Sequence, residues 1–251
     1  MISPLQNNRF FTIIGAQRSG TTYLYQMLNQ HPDISMNKII RPEPKFFLNP
    51  ESDSIPLSQY ITEVFQNHDE STLYGEKSTS YLEYGHLAMK INQYLPHPKI
   101  LVVLRNPVNR AISNYAFSKG NKLDNRPPKI ALDINNENKN SIPKHLSVSP
   151  FSYISRGIYI DFLQPYIEVF ASRLKIILYE DLIGNIQTIQ DIYKFLEVPE
   201  SFKPTDIVKK YNESIGVQIS DELRTKLEEF YAPWNKKLES KLGVSLNVWK
   251  Q

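Results

Sequence analysis

Eight residues, Gly15-Ala16-Gln17-Arg18-Ser19-Gly20-Thr21-Thr22, follow the apolar run Phe10 to Ile14 and precede a helical pattern carried by Leu24, Met27 and Leu28. Strand, glycine loop and helix in that order predict an anion site. Glycines let the backbone turn tightly enough to aim successive N–H groups at one point, and the helix N-terminus adds its positive dipole there. The spacing from Gly15 to Gly20 is that of a P-loop, but Thr21 stands where the P-loop lysine would reach the β- and γ-phosphates. A kinase or ATPase of that class also needs an acidic residue at a strand end to hold magnesium, whereas the run Lys99 to Leu104 ends in Arg105. Both departures weigh against an NTPase. Arg18, two residues before Gly20, can bring a permanent positive charge to an oxygen of the bound anion.

A second anion site is readable in Val103-Leu104-Arg105-Asn106-Pro107-Val108, which leaves a strand, turns at proline and enters a helix. Arg105 falls at the carboxyl end of that strand, and Ser113 falls about two turns into the helix at ~3.6 residues per turn. A fold-back lets the Ser113 hydroxyl join Arg105 around a second phosphate. One phosphate on a glycine loop beside an Arg/Ser site for another suits a nucleotide phosphorylated at both ends of its ribose.

These residues need a scaffold that brings strand ends together. Phe10 to Ile14, Lys99 to Leu104 and Leu174 to Tyr179 read as strands buried on both faces, with a weaker one at Leu73 to Lys77. Helices are expected at Thr21 to Asn29, Val108 to Ser118, Ile158 to Phe170, Thr188 to Leu196 and Ser220 to Phe230, the last with Ser220 as N-cap and Asp221 and Glu222 in its first turn. The expected fold is α/β, a P-loop-like three-layer arrangement with a central parallel β-sheet flanked by helices and the ligand at the strands' carboxyl ends. Residues 119–152, rich in asparagine and holding Pro127-Pro128, read as a long flexible loop.

Composition sets outer limits. The 251 residues suit a single domain spanning 1–251. A net charge of +3 from 29 basic and 26 acidic residues is too balanced for nucleic-acid binding by bulk electrostatics. The absence of cysteine removes disulfides and thiolate chemistry, and the histidines show no metal-ligand spacing. No apolar run approaches the ~20 residues of a membrane span, so the expected location is the cytoplasm, without membrane insertion.

With both anion motifs in order, the sequence resembles the PAPS-dependent sulfotransferase family, particularly the heparan sulfate sulfotransferases and their bacterial relatives. The resemblance implies that the loop, through Gln17, Arg18, Ser19, Gly20, Thr21 and Thr22, binds the 5′-phosphosulfate of 3′-phosphoadenosine 5′-phosphosulfate (PAPS). It implies that Arg105 and Ser113 bind the 3′-phosphate. Arg41-Pro42-Glu43-Pro44-Lys45-Phe46-Phe47 looks like the family segment whose glutamate is the catalytic base, and Tyr74-Gly75-Glu76-Lys77-Ser78 like the element whose lysine faces the active centre. Arg156-Gly157-Ile158-Tyr159 resembles the opening of the helix after the acceptor-side loop. Tyr159 there stacks near the adenine, lines the acceptor cleft or packs in the core. Lys209 and Lys210, with Tyr211 and Asn212, are the candidates for the C-terminal nucleotide loop. Arg18 replaces a common lysine and Lys45 a frequent histidine.

The mechanism so implied uses Glu43 to deprotonate the acceptor, while Arg18 and Lys77 stabilise charge on the sulfuryl and phosphate oxygens without a metal. PAP, the 3′,5′-bisphosphate, is then the product. The acceptor is a hydroxyl or amine of a small molecule or glycan. The alternatives are a nucleotide kinase or phosphotransferase and a non-catalytic nucleotide-binding protein. On a strand, neighbours point to opposite faces, so of Glu76 and Lys77 one turns inward and Lys77 is expected toward the site.

Overall fold

Phe10, Phe11, Ile13 and Ile14 are all buried, so strand β1 (Arg9–Gly15) is covered on both faces, as the central strand of a parallel sheet must be. The computed structural model describes residues 9–66, 73–135, 137, 150–209, 211 and 216–250. Four more strands complete the sheet: β2 (Ile34–Met36), β3 (Leu73–Lys77), β4 (Lys99–Leu104) and β5 (Leu174–Leu178), in the order β2-β3-β1-β4-β5 and all parallel. Ile13 pairs with Lys77 on one side and Leu101 on the other, which sets the carboxyl ends of β3, β1 and β4 side by side.

The alternation along β1 builds the three layers. Phe10 and Ile14 enter one core with Tyr60 of helix α2 (Leu57–Phe65), Ile91 of α3 (Leu87–Tyr94) and residues of helix Tyr159–Phe170. Phe11 and Ile13 enter the other, with Leu24 of α1 (Thr21–Leu28) and residues of helix Ile186–Leu196. Each such fully buried side chain contributes about 1.5–3 kcal/mol over leaving it exposed, so both faces of the sheet carry a substantial share of the stability.

The remaining helices are α4 (Pro107–Gly120), α5 (Pro128–Ala131), α6 (Tyr159–Phe170), α7 (Tyr179–Leu182), α8 (Ile186–Leu196) and α9 (Asp221–Leu242). Ser220 caps α9 by accepting from Leu223 N–H at 3.3 Å, as its position predicts. The helix does not stop at Phe230, however. It continues through Pro233 to Leu242, burying Tyr231 and Leu238, and ends at Gly243 with φ 64°. The strand expected over Leu174 to Tyr179 ends at Leu178, because Tyr179 opens α7.

The stretch 119–152 is not one continuous loop. Helix α4 runs to Gly120, and α5 places Ala131 beside Leu132 in a third core with Tyr115 and Tyr153. Buried Asp124 accepts from the Tyr153 hydroxyl at 2.9 Å and from Arg126 Nη2 at 2.7 Å, an anchorage that holds its carboxyl below the ordinary range despite burial. Residues 136 and 138–149 lie outside the described residues. No helix among the described residues is long and apolar enough to cross a membrane.

Candidate active site

The glycine loop leaves β1 and enters α1 through a left-handed turn at Gly20, φ 84°. A β-carbon at Gly20 would lie 2.7 Å from the Tyr179 ring, so glycine is required by conformation and by space alike. The loop is pinned to β4 by Ala16 N–H donating to the Val103 carbonyl at 2.8 Å.

Beyond the loop lies a cavity of about 400 Å³ lined by Arg18, Thr21, Thr22, Arg105, Ser113 and Tyr179, and further by Asn109, Tyr211 and Arg224. Among the described residues lining it none is acidic. Arg18 Nε donates to Ser113 Oγ at 3.3 Å, and Arg105 Nη1 donates to the Arg18 carbonyl at 3.2 Å. The fold-back expected of α4 therefore brings Ser113, Arg105 and the loop into one site. Arg105 lies over the Tyr179 ring at 4.4 Å and Arg18 over Phe117 at 4.9 Å. Burial, with repulsion from Arg105, Arg41 and Arg110, lowers the Arg18 guanidinium to about 10. A site that makes an arginine costly to keep charged is one that a bound anion stabilises.

Local chemistry places Arg105. Asn106 caps α4 by accepting from Val108 and Asn109 N–H at 3.0 and 3.1 Å, with Pro107 at the first helical position. Asn106 N–H donates to Glu180, whose other carboxylate oxygen accepts from Trp249 Nε1 at 2.9 Å. The Tyr159 hydroxyl donates to the Arg105 carbonyl at 2.8 Å. Tyr159 is itself fully buried, packs beside Trp249 and does not line the cavity, and its burial raises its phenol. Of the readings open from sequence, its surroundings match the packing one, with the added effect of fixing Arg105.

A second cluster sits at the carboxyl end of β3. Lys77 Nζ donates to Glu43 Oε1, while Thr79 donates to the same carboxylate through N–H and Oγ1, each at 2.8 Å to Oε2. Lys77 is held by Asn37 Oδ1, which accepts from its backbone N–H at 2.8 Å. Glu76 turns the other way into the core, accepting from the hydroxyls of Tyr60, Ser78 and Tyr81. The period of two thus sends Lys77 to Glu43 and Glu76 inward. Gln17 Nε2 lies 3.5 Å from Ser80 Oγ, linking the glycine loop to this cluster, and Ser19, within the loop, is wholly buried.

Sequence reasoning missed Asn109, Tyr179 and Arg224. Arg224 Nη1 donates to Asn109 Oδ1 at 3.2 Å and reaches the cavity from α9, more than a hundred residues from α4. No local pattern marks it. Thr79, next to the Glu76-Lys77-Ser78 stretch, was within reach. Lys209 stands 4.0 Å from the Asp206 carboxylate, over the Tyr211 ring and away from the cavity lining, whereas Tyr211 lines it. Lys210 and Asn212 lie outside the described residues. His31 is a buried structural residue whose Nε2 is 3.0 Å from the Pro199 carbonyl. Among the described residues no three His, Asp or Glu side chains are grouped to hold a metal.

Residues 9–215 match the family model of the sulfotransferase domain. The mouse heparan sulfate glucosamine 3-O-sulfotransferase 3A1 is 25% identical over 257 residues, covering 92% of this chain and 62% of that protein. A bifunctional heparan sulfate N-deacetylase/N-sulfotransferase 1 of Caenorhabditis briggsae is 25% identical over 250 residues, covering 88% of this chain and 28% of that protein. The chain therefore spans about three-fifths of the first relative's length and less of the second's. A crystal structure of a sulfotransferase from Alicyclobacillus acidocaldarius matches with a TM-score of 0.81 at 27% identity, over 97% of this chain and 99% of that one.

Proposed function

The chain belongs to the sulfotransferase domain family, and from that premise we propose that it moves a sulfuryl group from PAPS to a hydroxyl or amine of a carbohydrate, acting as a single domain. The observation that carries this reading is the pairing of two cationic positions around one cavity. Arg18 and the α1 N-terminus serve one phosphate, and Arg105 with Ser113 serves the other.

The acceptor oxygen or nitrogen attacks sulfur in line with the bond to the bridging phosphate oxygen, and that bond breaks as the new one forms. Glu43 takes the acceptor's proton. Negative charge moves onto the 5′-phosphate of PAP, where loop N–H groups, Arg18 and Lys77 stabilise it. Drawn toward the phosphosulfate, Lys77 releases the Glu43 carboxylate to which it donates. Carbohydrate is the favoured acceptor because the relatives at 25% identity are named for heparan sulfate and its glucosamine.

Transfer of radiolabelled sulfate from PAPS across a panel of glycans, glycolipids and phenols tests the acceptor class. Label in the glycans alone supports the reading, and label only in phenols or lipids overturns the carbohydrate part of it.

A further inference from the structure

Glu76 is a fully buried acid that the transfer scheme leaves without a task. Its carboxylate accepts from three hydroxyls: Ser78 Oγ at 2.6 Å, Tyr81 Oη on the same oxygen, and Tyr60 Oη at 2.8 Å on the other. Two of those hydroxyls accept in turn from the chain that carries Glu43. Lys45 N–H donates to Ser78 Oγ at 2.8 Å, and Phe47 N–H donates to Tyr81 Oη at 3.0 Å.

The direction of these bonds matters. A hydroxyl has one proton, and an ionised carboxylate can only accept. Ser78 and Tyr81 both donate to Glu76, which turns their lone pairs toward the two backbone N–H groups. We propose that Glu76 is a positioning residue for Glu43, acting through Ser78 and Tyr81 as a two-point clamp on residues 45–47. This rests on the reading of Glu43 as the base. Lys45, at φ 52°, is in a left-handed conformation that a non-glycine residue adopts at a cost, so the segment needs such a hold. Burial raises the Glu76 carboxyl while its three donors oppose the rise, in keeping with a group kept for its hydrogen bonds.

Tyr60 supplies the internal control, since its hydroxyl donates to the same carboxylate but accepts from no backbone N–H of residues 45–47 among the bonds described. Wild type, Ser78→Ala, Tyr81→Phe, Tyr60→Phe, Glu76→Gln and Glu43→Gln are compared for turnover of PAPS with heparan sulfate, for PAP affinity, and for amide exchange of the 44–48 peptide. Ser78→Ala and Tyr81→Phe are expected to lower kcat about tenfold with PAP affinity unchanged, and to speed exchange at 44–48. Tyr60→Phe should do neither. Glu76→Gln retains an acceptor oxygen for Ser78 and Tyr81 if its amide turns to Tyr60, so it should keep most of kcat.

Wild-type kcat and exchange in both Ser78→Ala and Tyr81→Phe, with Glu43→Gln inactive, overturns the clamp alone. So does a Tyr60→Phe effect equal to that of Tyr81→Phe, which would mark a general loss of core stability. Full activity of Glu43→Gln instead overturns the reading of the base, and the clamp with it. Should heparan sulfate not be turned over, the exchange comparison decides the clamp by itself.

Discussion

Lys77 Nζ and Glu43 Oε1 form a closed ion pair at the carboxyl end of β3, with the Lys77 side chain 4% exposed and that of Glu43 16%. With Thr79 donating twice more, the lone pairs of the Glu43 carboxylate are largely taken up. Such a carboxylate becomes an effective base only when Lys77 moves to another anion. The pair therefore predicts that donor binds before acceptor, and product-inhibition kinetics should show PAP competitive with PAPS and noncompetitive with acceptor.

Replacing the base isolates its contribution. Glu43→Gln keeps shape and hydrogen-bond reach but cannot take a proton at neutral pH, so kcat should fall by roughly 10²–10⁴-fold. PAP affinity measured by calorimetry should stay near that of wild type. Lys77→Met should also lower kcat.

Arg105 predicts nucleotide selectivity. Arg105→Met should weaken PAP binding about 10–100-fold, the size of a lost charge-assisted hydrogen bond at ~1.5–3 kcal/mol. Binding of AMP, which lacks the 3′-phosphate, should differ little between variant and wild type. Equal losses for the two nucleotides would instead assign Arg105 to the 5′ side.

Gly20 predicts a stability cost. Gly20→Ala puts a β-carbon 2.7 Å from the Tyr179 ring at φ 84°, so thermal unfolding should show a loss of about 1–3 kcal/mol. At ~2–4 °C per kcal/mol for a chain of this size the midpoint falls by several degrees.

Arg18 predicts an alkaline limit to binding. Burial lowers its guanidinium to about 10, so folding carries a cost for the charged form that is fully present below that pH and falls away only as pH rises from there toward the ordinary arginine value. A bound anion reverses the balance by favouring the charged form. PAP affinity should hold between pH 7 and 9 and fall through about pH 10, with this component missing in Arg18→Met.

What the sequence made legible was what lies close together along the chain. Gly15 to Thr22 could be read because strand, turn and helix are contiguous, and Arg105 because Asn106 and Pro107 mark a helix start. The opposite senses of Glu76 and Lys77 follow from strand geometry alone. Arg224 and Asn109 were hidden because their meeting depends on how α9 packs on α4. Strand β2 spans only three residues, too few for a periodic signal, and Pro233 lies within α9 without ending it. The third core explains why 121–135 misleads: Ala131 and Leu132 are buried by partners as distant as Tyr231, which local composition cannot announce.

Calorimetry with PAP and, separately, with ATP and magnesium distinguishes a PAPS donor from a nucleoside triphosphate. One molecule of PAP should bind per chain, far more tightly than ATP with magnesium, and Arg105→Met should remove most of that preference. Tight binding of ATP with magnesium and no binding of PAP would contradict the account.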